Sequence, residues 1–202
     1  MMLSGTIARL DRAGRICGLI SLALVLVVAA GCLRRRVPET HYYTLDPTPG
    51  VVMERATGPA LAVDELEVTA ALRNDRIAYV AAPHHVGYYG YHLWVAEPDR
   101  LLTEYLRVAL TAALPAAHET AAGGLVLGGL ITGFHEDNTG AVTFGVLAAE
   151  LYVRRADNDE IVRWLPVVIK HPAEAGMPVS VVDALNLCAA ELVVMVLDSL
   201  AP

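Results

Sequence analysis

The sequence predicts a mixed α/β domain of the α+β kind. It has a largely antiparallel sheet with two main amphipathic helices packed on it, behind a short export segment. Three observations carry this. Short alternating or β-branched runs punctuated by Gly, Pro, Asn and Asp recur along the chain. Two longer stretches repeat apolar residues at 3–4 spacing. A single apolar run near the N-terminus follows three arginines. The order of elements is strands, helix, a three-strand meander and a second helix, which suggests helices packed on a largely antiparallel sheet.

The first segment reads as an address. Arg9, Arg12 and Arg15 precede an apolar run from Ile16 to Ala30. Fifteen residues suit a signal h-region and fall short of the ~20 needed to span a bilayer. The run ends in Val28-Ala29-Ala30-Gly31-Cys32, small residues that fit a narrow peptidase cleft. It resembles the bacterial lipobox, with Ala29 where that motif usually has leucine. The resemblance implies a signal peptide over 1–31, acylation (palmitate) at Cys32 and a lipidated tether over 32–40. Residues 33–40 are polar, with Arg34, Arg35, Arg36 and Pro38, as a tether should be. By the same resemblance, Leu33 after the cysteine points to the outer membrane, since an aspartate there typically retains a lipoprotein at the inner one.

The domain itself is expected over 41–202. His41 to Leu45 is a β-type run, stopped by Asp46-Pro47-Thr48-Pro49-Gly50. Leu61 to Val68 alternates. Arg76 to Ala82 is a clearer strand, and Pro83-His84-His85-Val86-Gly87 reads as a turn. Tyr88 to Ala96 is an aromatic strand that can return antiparallel. Pro98 opens a helix whose apolar face is Leu101, Leu102, Tyr105, Leu106, Ala109 and Ala113, with Pro115 as its stop.

Leu125 to Phe134 is apolar on both faces and reads as a central strand. Glu136-Asp137-Asn138-Thr139-Gly140 reads as a hairpin turn, so both carboxylates are expected to be solvated. Val142 to Arg154 runs back, Ala156 to Asp159 turns again, and Glu160 to Ile169 completes the meander. Ser180, with Asp183 three residues on, reads as the N-cap of a C-terminal helix. Its stripe is Val182, Leu185, Ala189, Leu192, Val193, Val196 and Leu200.

Charge and chemistry exclude several functions. The net charge is −7, and residues 1–31 contribute +2, so the remainder carries −9. Nucleic acid is not an expected partner, because phosphate binding needs a basic face. Cys188 falls among apolar helical residues and reads as a small core residue. His84, His85 and His92 lack a carboxylate or cysteine at ligand spacing, so no metal is expected. Ser180 has no nucleophile-elbow context, and neither a Gly-x-Gly-x-x-Gly nor a Walker-type loop occurs. No cofactor and no catalytic residue is implied, and the chain reads as a non-enzyme. Tyr88, Tyr89 and Tyr91 form the densest aromatic cluster. As strand residues, Tyr89 and Tyr91 should share one face and Tyr88 the other. One set is expected to pack on the core and the other to contact a partner.

The region from about residue 41 onward resembles the ABC-type transport auxiliary lipoprotein family. The likeness rests on Tyr42-Tyr43-Thr44-Leu45, on Leu72 to Tyr79 with its Asp75-Arg76 pair, on Trp94-Val95-Ala96-Glu97-Pro98 leading into a helix, and on the C-terminal amphipathic helix. The family's proline ahead of the Asp-Arg pair is missing, and Val95 interrupts its Trp-Ala-Glu-Pro. The resemblance implies an accessory subunit of an envelope transport system, held by lipid at the periplasmic face of the outer membrane. Its implied partners are a protein with mammalian-cell-entry domains, a permease and an ATPase, its cargo phospholipid or other hydrophobic molecules, and its assembly a ring homo-oligomer. An envelope-integrity or assembly lipoprotein not tied to a transporter is the alternative reading.

Overall fold

The structure is a computed structural model that describes residues 38–47, 59–114 and 124–200. Cys32, the export segment, Pro115 and most of the tether lie outside these residues. Eight strands form one mixed sheet: β1 (His41–Tyr43), β2 (Leu61–Val63), β3 (Glu67–Val68), β4 (Arg76–Ala82), β5 (His85–Trp94), β6 (Leu125–Asp137), β7 (Thr143–Arg155) and β8 (Ile161–Ala173). Two helices, α1 (Pro98–Ala113) and α2 (Pro178–Leu200), accompany it. The mixed, largely antiparallel sheet with two helices is therefore as expected.

The main path across the sheet is β1-β5-β4-β6-β7-β8. β6 is its spine. One edge pairs antiparallel with β7 from Leu125 to Asp137, and β7 pairs antiparallel with β8. The other edge of β6 is covered by β2, β3 and β4 in succession, all parallel to it. Leu61–Val68, expected as one strand, is thus two short ones. Their link is fixed by α1: the hydroxyl of buried Thr103 accepts the N–H of Leu66 at 3.0 Å.

The core lies between one face of the sheet and the helices. Gly145 marks that face, because a Cβ added there would meet Ala184 of α2 at 2.8 Å. Residues opposite one another in the ladder share a face. Glu136, Phe134 and Ile131 of β6, Leu147, Ala149 and Leu151 of β7, and Val167 and Ile169 of β8 therefore turn inward with Gly145. They meet Leu185, Cys188, Leu192 and Val196 of α2, all buried. By length and composition α2 could cross a membrane, but half of its most apolar stretch is buried inside this fold, as befits a core helix.

α1 begins with Pro98, whose missing N–H costs nothing at that position. It buries Leu101, Leu102, Tyr105, Leu106, Leu110 and Ala113. α2 begins two residues before the expected cap. Pro178 opens it, and Ser180 sits inside the first turn, where its hydroxyl accepts the N–H of Glu174 at 2.9 Å. Ser180 thus ties the preceding loop to the helix instead of capping it.

Candidate functional site

The aromatic cluster expected to face a partner lies on β5, between β4 and the three-residue edge strand β1. β5 starts earlier than expected, at His85, because the turn is confined to Pro83 and His84. His84 takes a positive φ of 65°, a conformation that closes tight turns. Arg76 pairs with Leu93 and Ala78 with Tyr88, so two steps along β4 span five along β5. The extra residues fall within Tyr89 to His92. Strict alternation fails there, and Tyr89 and His92, three apart, meet edge to face at 5.7 Å.

This irregularity re-sorts the three tyrosines. Tyr89 packs against the core, whereas Tyr91 and Tyr88 are 43% and 37% exposed. Tyr89 and Tyr91 do not behave as one set, as a regular strand would require. Tyr88 donates its hydroxyl to the carbonyl of Ala71 at 2.8 Å, which fixes its ring outward over the turn before β4.

Tyr89 reaches inward to Glu136. Its hydroxyl donates to Oε2 at 2.5 Å. Glu136 was expected in a solvated turn, yet it is wholly buried. The reason is the parallel pairing of β4 with β6, in which Tyr79 and Val80 lie opposite Glu136 and Asp137. That pairing carries β6 three residues beyond Phe134, and the turn begins only at Asn138. Oε1 of Glu136 is the one buried side-chain polar atom among the described residues without a hydrogen-bond partner. Burial, and then the bond to Glu136, push the Tyr89 hydroxyl well above its ordinary range. Asp137 is also held in place: Oδ1 accepts the hydroxyl and N–H of Thr139, and Oδ2 accepts Lys170 at 3.0 Å.

The network continues outward to the sheet edge. Tyr79 stands edge-on to Tyr89 at 5.3 Å. The His92 ring stacks with His41 at 5.2 Å and with Tyr43 at 5.8 Å, and its Nδ1 lies 2.9 Å from the Tyr43 hydroxyl. Burial, and then the nearby His41, hold His92 below its ordinary range. A neutral Nδ1 accepting the Tyr43 proton fits that. Rings from β1, β4 and β5 thus bind the edge together, with a carboxylate at their inner end.

The remaining candidates fall apart in space or into the core. His92 joins His41, while His84 and His85 are exposed at the hairpin. No group of three or more His, Cys, Asp or Glu among the described residues is placed to hold a metal ion. Cys188 is fully buried between α2 and the sheet, its thiol directed at the carbonyls of Gly145 and Ile169 and pushed up to about 11 by burial.

Residues 43–196 match the sequence pattern of the ABC-type transport auxiliary lipoprotein component. The chain belongs to this family. The match begins on the last residue of β1 and ends within α2, so it takes in both helices and nearly the whole sheet. It contains Tyr43-Thr44-Leu45, Asp75-Arg76 and Glu97-Pro98, three of the features on which the resemblance rested. As an ABC transport auxiliary lipoprotein, the chain is a membrane-anchored envelope component associated with an ABC transport system. Two solved structures share the fold. One is protein XCC0632 from Xanthomonas campestris, with a TM-score of 0.65 and 13% identity over 78% of this chain and 91% of its own. The other is an uncharacterized protein, with a TM-score of 0.65 and 16% identity over 81% of this chain and all of its own. No curated protein matches the sequence.

Proposed function

We propose that this auxiliary lipoprotein is a non-enzymatic accessory subunit of an envelope transport system containing mammalian-cell-entry domains. It docks that system at the periplasmic face of the outer membrane for transfer of phospholipid or other hydrophobic cargo. The observation that carries the reading is the family match over 43–196. Ala29-Ala30-Gly31-Cys32 upstream supports cleavage after residue 31 and acylation at Cys32, and Leu33 supports the outer membrane. Residues 32–40 then tether a domain over 41–202.

Of the aromatic cluster, Tyr88 and Tyr91 are the contact residues, and Tyr89 is the support that holds β5 against Glu136. Exposed aromatic side chains anchor interfaces because they bury much surface at little conformational cost. The surface joins a neighbouring copy in a ring or the mammalian-cell-entry subunit. The test is a pull-down of the permease, ATPase and mammalian-cell-entry protein with lipidated wild type, Cys32→Ser and Tyr88→Ala/Tyr91→Ala. Wild type should retain all three proteins. Cys32→Ser should lose palmitate labelling and remain uncleaved. If wild type, co-expressed with the three proteins, retains none of them, the transport reading fails.

A further inference from the structure

We infer that the end of the sheet carrying the β4–β5, β6–β7 and β8–α2 connections is the surface that lies on the lipid bilayer. The inference rests on the reading of Cys32 as the anchor. Pairings place these three connections together: Ala82 with His85, Val80 with Asp137, Asp137 with Phe144, and Thr143 with Ala173. Val86, Val142, Met177 and Val179 project there, each between 46% and 56% exposed. Single exposed apolar residues are ordinary on a protein surface. Two on adjoining connections, Val142 and Met177, with Val86 at the start of β5 and Val179 at the start of α2, gather apolar surface at one end, where a partner or a membrane can cover it.

Charge sorts the two ends of the sheet. Residues 83–86, 138–142 and 174–179 contain one charged side chain, Glu174, besides His84 and His85, and the Asp137–Lys170 ion pair lies beside them. The opposite end holds the β7–β8 turn with Asp157, Asp159 and Glu160, and beside it Asp64, Arg154 and Arg155 joined in ion pairs. Dehydrating charges against a membrane is costly, and an acidic body is repelled by anionic headgroups. The charge-poor end approaches lipid with the smaller penalty, although exposed Val95, Ile161 and Val162 give the other end apolar residues too.

Chain direction picks the same end. β1 runs parallel to β5, so the chain comes to His41 from the side of the β4–β5 turn. His41 lies beside His92, and β4 covers the stretch from Leu93 to His85 in six steps, from Arg76 to Ala82, so the turn lies about 20 Å away at the rise of a strand. Cys32 is nine residues before His41, a reach of about 30 Å when extended. The tether is long enough to let this end touch the bilayer and too short to let the domain drift far from it. A lipid surface is the occupant that chain length, chain direction and charge all favour.

The test uses the full lipidated protein in vesicles of phosphatidylethanolamine and phosphatidylglycerol. A polarity-sensitive fluorophore is attached at Val142→Cys, Met177→Cys, Asn158→Cys or Val168→Cys, one per preparation. Acylated Cys32 and the buried Cys188 thiol do not compete for the label. The protein should float with the vesicles. Probes at 142 and 177 should then shift to the blue and be quenched by nitroxide-labelled lipid, while those at 158 and 168 keep their emission in water. Adding Val142→Asp should abolish the shift at 177 and leave flotation and melting unchanged. Protein that fails to float removes the anchor reading and this inference with it. Floating protein with no shift at 142 and 177, or with an equal shift at 158, overturns the inference alone. So does the same shift in unlipidated Cys32→Ser protein without vesicles, which would assign the patch to a second copy.

Discussion

The two halves of the sheet are held together by different chemistry. On one side of the spine, β6, β7 and β8 pair over about thirteen residues each, with a single one-residue shift in each ladder, and press an aliphatic face onto α2. On the other, β1, β4 and β5 are shorter, slip in register and meet through tyrosine and histidine rings that are half in water. The first half derives its stability from the area it removes from water. The second depends on a few directional contacts, and its outer tyrosines, Tyr88 and Tyr91, stay partly exposed. Aliphatic burial and aromatic contacts thus lie on opposite flanks of one strand.

The largest effects should come from the aliphatic half. Leu147 is fully buried between Phe134 and Ile169 on neighbouring strands. Leu147→Ala should cost about 2–5 kcal/mol in urea unfolding. Gly145→Val should cost about 1–3 kcal/mol by overpacking, because its Cβ would crowd Ala184 and the backbone of Leu185. Comparable losses from Tyr88→Ala or Tyr91→Ala would erase the contrast between the halves.

A smaller effect sharpens the contrast in the aromatic half. Tyr89→Phe leaves Glu136 buried with neither oxygen bonded, at a cost of about 1–3 kcal/mol. Replacing both partners by apolar groups of similar shape removes the unsatisfied acceptor, so Tyr89→Phe/Glu136→Met should recover part of that loss. A double-mutant cycle by chemical denaturation reads this directly. If the double variant loses the sum of the two single losses, the pair is not coupled.

These elements also show where a sequence speaks plainly and where it does not. β4 falls on the expected residues 76–82, and α1 starts at the expected proline, because alternation and a helix-opening Pro act locally. Glu136 could not be placed that way. Acidic residues next to Asn-Thr-Gly look like turn chemistry, and what keeps this one in a strand is pairing with β4 and a hydroxyl 47 residues away. The displaced alternation at Tyr89 has the same origin, since a register slip belongs to two strands at once. The tyrosine cluster was visible in the sequence, but the sorting of inner from outer rings was not.

On the outer rings, Tyr88→Ala and Tyr91→Ala should change unfolding by only a few tenths of a kcal/mol to about 1.5 kcal/mol, the larger figure for Tyr88, which also loses its bond to Ala71. Assembly, measured by light scattering or partner retention, should weaken by about 1–4 kcal/mol per residue if they are interface anchors. Intact assembly in the double variant would make this edge plain surface and shift attention to the row of Trp164 and Val168 on the open side of β8.

The smallest effect is electrostatic and lies where the two halves meet. Asp137, the last residue of β6, is held at about 2 against an ordinary 3.8, first by the hydroxyl and N–H of Thr139 and then by Lys170. A carboxyl depressed in the folded state contributes stability that is present above the unfolded value and lost as pH falls through the folded one. The wild type should therefore lose this contribution between about pH 3.8 and 2, and Asp137→Asn should lack that part of the acid limb. The order of causes makes a sharper claim. Thr139→Ala removes a 2.6 Å donor from Oδ1, whereas Lys170→Met removes a partly exposed ammonium that salt already screens. Following the Asp137 carboxyl by NMR titration, Thr139→Ala should raise its midpoint more than Lys170→Met. Added salt should shrink only the Lys170 effect. A larger rise in Lys170→Met would mean that the ion pair to β8, and not the local turn, sets the charge at this end of the spine.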